Sequence, residues 1–233
     1  PTFVNGNKID SRGFEISLSH ENKIGDFAYG GKFSISWARS RWLKYPDSQG
    51  ALPFQRVTGK TYNSLLLLEA EGLYQTEEEI DNSSWYDGVR PSLGDIKYKD
   101  IDGDGVIDAW KDRTYKGRSN TPEITGSLNL FASFKGFDLN MMFVGGAMFD
   151  VALTGIYYNW AMDSTPFTKV FKGGANAPKF LAEQSWRPDN TGGTYPRLSI
   201  SRTNDNNGLA STFWYRDGKY LRLKTAQIGY SFP

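Results

Sequence analysis

Five stretches of the chain alternate apolar and polar residues with the period of two that puts successive side chains on opposite faces of a β-strand. In 12–21, Phe14, Ile16 and Leu18 fall on one face, with Glu15, Ser17 and Ser19 on the other. After the short "NKIGD" turn, 26–44 sets Phe27, Tyr29, Phe33, Ile35 and Trp37 against Lys32, Ser34, Ser36 and Arg39. In 122–134, Ile124, Leu128 and Leu130 oppose Glu123, Thr125, Ser127 and Asn129. A tight Lys-Gly turn leads into 136–154, where Phe137, Leu139, Met141 and Phe143 oppose Asp138 and Asn140. The last stretch, 213–232, alternates Ala226, Ile228, Tyr230 and Phe232 with Thr225, Gln227 and Ser231. The pattern predicts an all-β, antiparallel architecture with neighbouring hairpins paired.

Two architectures produce such strands. A soluble sandwich buries the apolar face against a second sheet, whereas a transmembrane barrel turns it to lipid and keeps the polar face wet. The connections decide between them. "NKIG" and "KG" are very short, while 45–121 and 155–212 are very long. Outer-membrane barrels combine short periplasmic turns with long external loops, and compact soluble domains seldom carry loops of this length. The expectation is therefore a barrel segment of about five strands. Phe14, Ile16, Phe33, Ile35, Leu128, Leu130, Leu139 and Met141 then face lipid, and Ser17, Ser34, Asn129 and Asn140 face the lumen. Tyr230 and Phe232 fit an interfacial aromatic girdle, or else ordinary packing. No apolar run nears the ~20 residues of a spanning helix. The N-terminus has neither the hydrophobic stretch of a signal peptide nor an initiator Met, so the chain is expected to be a piece of a longer protein.

The long loops carry signals of their own. In "QTEEEIDNS", Thr76 with Glu79 three residues on forms a capping box for a short helix, which also accounts for the acidic run Glu77–Glu79. "NAPKFLAEQSW" reads as a second short helix and "GDIKYK" as a short strand.

Composition narrows the function. With 27 basic and 26 acidic residues, the chain of 233 has no electrostatic footprint for nucleic acid. It has no Cys, which removes disulfides and thiol chemistry. His20 is the single histidine, beside Glu21 at a strand end, and no nucleophile elbow or phosphate-cradling loop occurs, so no enzyme is expected.

The one concentrated chemical signal is "YKDIDGDGVIDAWKD", 98–112. Carboxylates so close repel unless a cation sits among them. Asp100, Asp102 and Asp104 match positions 1, 3 and 5 of an EF-hand loop, with Gly105 at the turn, the Val106 carbonyl at 7 and Asp108 at 9. Position 12, which an EF-hand fills with bidentate Glu, is Lys111, and Asp112 lies one residue further on. No helix pair flanks the loop. It reads as a structural Ca2+ staple of low affinity, with Ile107 packed beneath; the other account is a solvated Asp/Gly turn. Trp85, Trp160, Trp186 and Trp214 are candidate stacking platforms for a sugar or peptide, or else pack the loops.

The segments "GLYQTEEEID", "GDIKYKDIDGDGVID", "KGFDLNMMFVGG", "WRPDNTGGTYPRL" and "STFWYRDGKYLRLKTAQIGYSFP" occur in that order, and together they resemble the C-terminal region of SusC/RagA-like TonB-dependent transporters. The resemblance runs from about residue 12 to the end. It implies part of a 22-stranded barrel in the outer membrane of Bacteroidota, importing oligosaccharides or peptides. It further implies a SusD-like surface lipoprotein as partner and energy from TonB–ExbB–ExbD, acting through a plug and TonB box that the chain lacks. A calcium-stabilised secreted β-module that binds carbohydrate is the alternative.

Overall fold

The computed structural model describes residues 6–153, 179–198 and 205–232. Its largest element is a five-stranded antiparallel sheet of β1 (Lys8–Ile24), β2 (Phe27–Lys44), β9 (Ile124–Phe134), β10 (Phe137–Ala147) and β13 (Tyr220–Tyr230), in the spatial order β1-β2-β9-β10-β13. Between β2 and β9 lie β3 (Leu65–Leu68), β4 (Ala70–Leu73), α1 (Glu77–Asp81), β5 (Trp85–Tyr86), β6 (Ile96–Tyr98), β7 (Val106–Ile107) and β8 (Arg113–Gly117). Between β10 and β13 lie β11 (Asp150–Ala152), α2 (Lys179–Gln184) and β12 (Tyr215–Asp217).

The register carries the alternation of each strand across the whole sheet. Ile16 pairs with Ile35, Leu18 with Phe33, Phe33 with Leu128, Leu128 with Phe143, and Phe143 with Leu223. Ser17–Ser34–Ser127 is a matching row on the opposite face. The apolar face is bare: Phe14, Leu18, Leu221, Leu223 and Ile228 are all more than half exposed. A soluble sandwich would cover such a face, and the buried hydrophobic cluster of the described residues does not include this sheet.

Aromatic residues mark both margins of the apolar face. At the short-turn end, Phe27 lies 6.4 Å from Phe134, Phe137 4.5 Å from Tyr230, and Tyr230 5.0 Å from Phe232. Toward the long loops, Phe14 lies 5.8 Å from Trp37, which pairs with Ile124. From Phe27 to Trp37 is about ten residues at roughly 3.3 Å each, and a tilt of about 40° turns that length into about 25 Å, the height of a barrel's apolar band. The Lys135-Gly136 turn has φ of +46° and +85°, the positive pair that a tight hairpin needs to match the strand twist.

Four details depart from the expected pattern. β10 stops at Ala147 instead of reaching residue 154, because Met148 adopts φ +61° and β11 pairs with β12 in a separate ribbon. Thr212–Trp214 is a turn of 3-10 helix packed into the loops, so the last wall strand starts at Tyr220, not at 213. Within β13 the register slips between Met142↔Thr225 and Phe143↔Leu223, leaving Lys224 without a partner. This bulge lets odd Leu221 and Leu223 share a face with even Ala226 and Ile228. Arg39, expected on the polar face, pairs with Arg12 and lies 5.6 Å over the Trp37 ring, so it belongs to the apolar face's outer margin.

The buried core lies in the loops. Leu67, Leu68, Ile96, Tyr98, Ile107, Leu181, Leu209, Ala210 and Trp214 form one cluster drawn from both long connections. Cross-loop hydrogen bonds fasten it: the Leu68 amide donates to the Ala210 carbonyl at 3.1 Å, and the Tyr98 hydroxyl to the Asn206 carbonyl at 2.6 Å. Asp95, fully buried, accepts from Arg197 Nε at 2.7 Å and Asn207 Nδ2 at 2.8 Å. The Thr76 hydroxyl caps α1 by accepting from the Glu79 amide at 3.1 Å, while the Glu79 carboxylate reaches back to the Gln75 amide at 2.8 Å.

Candidate metal site and the loop tryptophans

The Asp-rich loop runs from β6 through β7 to the start of β8. β7 pairs in parallel with β5, and Ile107 is buried below the loop. Asp100 organises the turn. Its Oδ1 accepts from the Gly103 amide at 2.7 Å, and its Oδ2 from the Gly105 amide at 2.9 Å and the Ser84 hydroxyl at 2.9 Å. Gly105 has φ +88°, a conformation that a side chain resists. Burial alone would raise the Asp100 pKa, but the three donors from Gly105, Ser84 and Gly103 outweigh it and hold the group below its ordinary value.

Three carboxylates converge. Asp100, Asp102 and Asp112 each offer an oxygen, and these oxygens lie within 4.8 Å of one another. Asp112 is fully buried and accepts from the Ile101 amide at 2.7 Å and the Asp108 amide at 2.8 Å. Desolvation pushes its pKa up against these bonds. Its place one residue beyond the EF-hand position therefore does not keep it from the group.

The other expected ligands are engaged elsewhere. Asp104 Oδ2 lies 2.6 Å from Lys111 Nζ, and its Oδ1 accepts from the Val106 amide at 3.0 Å; the lysine bond is the main reason its pKa is lowered. Asp108 Oδ1 caps the following turn by accepting from the Trp110 and Lys111 amides, both at 2.6 Å. Val106 enters β7. The donor set suits a hard divalent cation: all-oxygen, anionic, and with second lone pairs on the bonded carboxylates still open.

The three described candidate tryptophans pack within the loops. Trp214 is fully buried, donates Nε1–H to the Asn207 carbonyl at 2.9 Å and meets Phe213 at 5.0 Å. Trp186 is buried, with Nε1–H on Gln75 Oε1 at 2.9 Å. In this arrangement neither ring presents a face on which a ligand could stack. Trp85 is half-buried, donates to the Ile80 carbonyl at 2.7 Å and lies 5.9 Å beneath the Arg90 guanidinium. Trp160 lies outside the described residues. Among the described residues the exposed indole is Trp110, 85% accessible in the Asp-rich loop, where no periodicity singles it out.

No protein-family model matches the chain. Over an alignment of 242 residues, taking in 97% of the chain, it is 26% identical to the TonB-dependent receptor P3 of Formosa agariphila and covers 22% of that protein. The fold superposes on the RagAB peptide transporter with a TM-score of 0.61 at 20% identity, and on the RagAB peptide importer in its open-open state with 0.62 at 19%. Each superposition takes in 97% of this chain and 23% of the solved one. The bare apolar wall with its aromatic margins is the pattern of a transmembrane barrel segment. Over nearly its whole length the chain is similar to a segment of these TonB-dependent receptor and RagAB chains, and it shares the fold of that part of the RagAB structures. It spans less than a quarter of the relatives' length.

Proposed function

We propose that the parent receptor imports oligosaccharides or peptides through the barrel of which this segment is one wall, driven by TonB–ExbB–ExbD and working with a SusD-like surface lipoprotein. The observation that carries the reading is the five-strand wall with one bare apolar face and one polar face, joined to loops that fold into a core of their own. The polar face is rich in hydroxyls: Ser17 bonds Ser34 at 3.1 Å, Ser36 bonds Thr125 at 2.7 Å, and Ser127 lies in the same row. Such a wall offers hydroxyl hydrogen bonds beside the charges of Glu15 and Lys32, which suits polar cargo such as sugars and peptides. Deleting and restoring the parent gene, with growth measured on oligosaccharide or on peptide as sole carbon source, tests both function and cargo class. Unchanged growth on both sources would reject import.

The loop is proposed to hold Ca2+ through Asp100, Asp102 and Asp112, with Asp104 joining if Lys111 releases it. The ion would supply only charge neutralisation and shape. Calcium titration of the intact receptor, read as protease protection of the loop, tests this against Asp102→Asn. Equal cleavage with and without millimolar calcium in both proteins would leave a solvated turn.

A further inference from the structure

Above the Phe14–Trp37 margin, the outward face of the wall changes abruptly from apolar to basic. Arg12 pairs across the sheet with Arg39, and the next row sets Asp10 opposite Arg41. These four residues, with Trp37 and Leu43, line a hollow of about 360 Å³. Arg12 is largely exposed, and its 2.7 Å bond to Asp10 is a surface pair between near neighbours in sequence. Such pairs contribute little and exchange readily. Arg39 is held by Glu123 at 2.6 Å. Arg41 is exposed and has no ion-pair partner among the described residues. Three guanidinium groups thus meet two carboxylates, on a surface continuous with the one that faces lipid.

We propose that this row is a binding site for the phosphate of an outer-leaflet glycolipid, whose acyl chains lie along the apolar face below. The position argues for a lipid over a soluble anion. The hollow opens outward beside the bilayer margin, not into the lumen, and Trp37 spans the boundary between chain and headgroup depth. Guanidinium chemistry fits as well: its planar fork takes two phosphate oxygens at once, and partial desolvation at the margin strengthens the pair. Arg39, pinned by Glu123, sets the site, while Arg12 and Arg41 close on the ligand.

The inference rests on the barrel's orientation, with the long loops outside, and not on the cargo. The test uses the intact receptor in phosphatidylcholine nanodiscs carrying lipid A or its dephosphorylated form, with retained glycolipid counted by native mass spectrometry. Wild type should retain the phosphorylated form preferentially. Arg12→Gln/Arg41→Gln should reduce that preference by roughly tenfold or more, the scale of two basic groups at a membrane surface. Arg12→Lys/Arg41→Lys should restore part of it. Equal retention of both forms by wild type would overturn the proposal. So would a loss in the glutamine variant that is the same for both forms. Retention unchanged while a co-purifying lipoprotein is lost would mark the row as a protein interface and overturn it too.

Discussion

Leu130 provides the sharpest test of which face meets lipid. In the sheet it sits between Gly31 on β2 and Met141 on β10. Along β9 it lies about four residues from Phe134 at one aromatic margin and about six from Ile124 at the other, so at roughly 2.5 Å of depth per tilted residue it is within a few ångströms of the bilayer midplane. Leu130→Arg in the full-length barrel places a cation there, at an expected cost of about 2–4 kcal/mol. Ile124→Arg puts the same charge at the outer margin, where the cost falls to about 0–1 kcal/mol. Ser127→Arg, on the polar face, should cost less than Leu130→Arg because its head reaches water. Urea titration of each variant in phospholipid vesicles, followed by tryptophan fluorescence, gives the ranking. The reasoning fails if Leu130→Arg and Ser127→Arg unfold together, or if Ile124→Arg is as damaging as Leu130→Arg.

Truncating the buried Trp214 to Ala should destabilise the loop core by about 3–5 kcal/mol, seen as faster proteolysis of the loops with the barrel wall intact. Thr76→Ala removes the cap on α1 and should cost about 1 kcal/mol, read as faster amide exchange confined to that helix. Lys111→Gln frees Asp104, so calcium affinity measured by calorimetry on the intact receptor should rise by up to about fivefold, the scale of an exposed ion pair; unchanged affinity would exclude Asp104 from the ligand set.

The wall was legible in the sequence because its information is local. A period of two over ten residues needs no distant partner to be read, and short turns such as Lys135-Gly136 dictate which strands pair. The same logic missed what breaks the period. The Lys224 bulge reverses the parity of β13 and became clear only from the register with the neighbouring strand, whereas Arg39, two residues beyond Trp37, keeps the period and so lies on the apolar side, opposite its expected face. The spacing of the aspartates exposed the loop, along with the left-handed turn at Gly105 and the inward Ile107.

Only the tertiary structure decided which side chains meet. That Asp112 joins Asp100 and Asp102 while Lys111 holds Asp104 depends on how the chain returns after β7, which no spacing rule encodes. The loop core depends on contacts between residues far apart in sequence, Leu68 with Ala210 and Ile96 with Asn207, each formed by closing a long loop. A tryptophan looks the same in sequence whether it stacks on a ligand or fills a core. Trp214 is inside and Trp110 outside because burial is set by what the rest of the chain brings alongside.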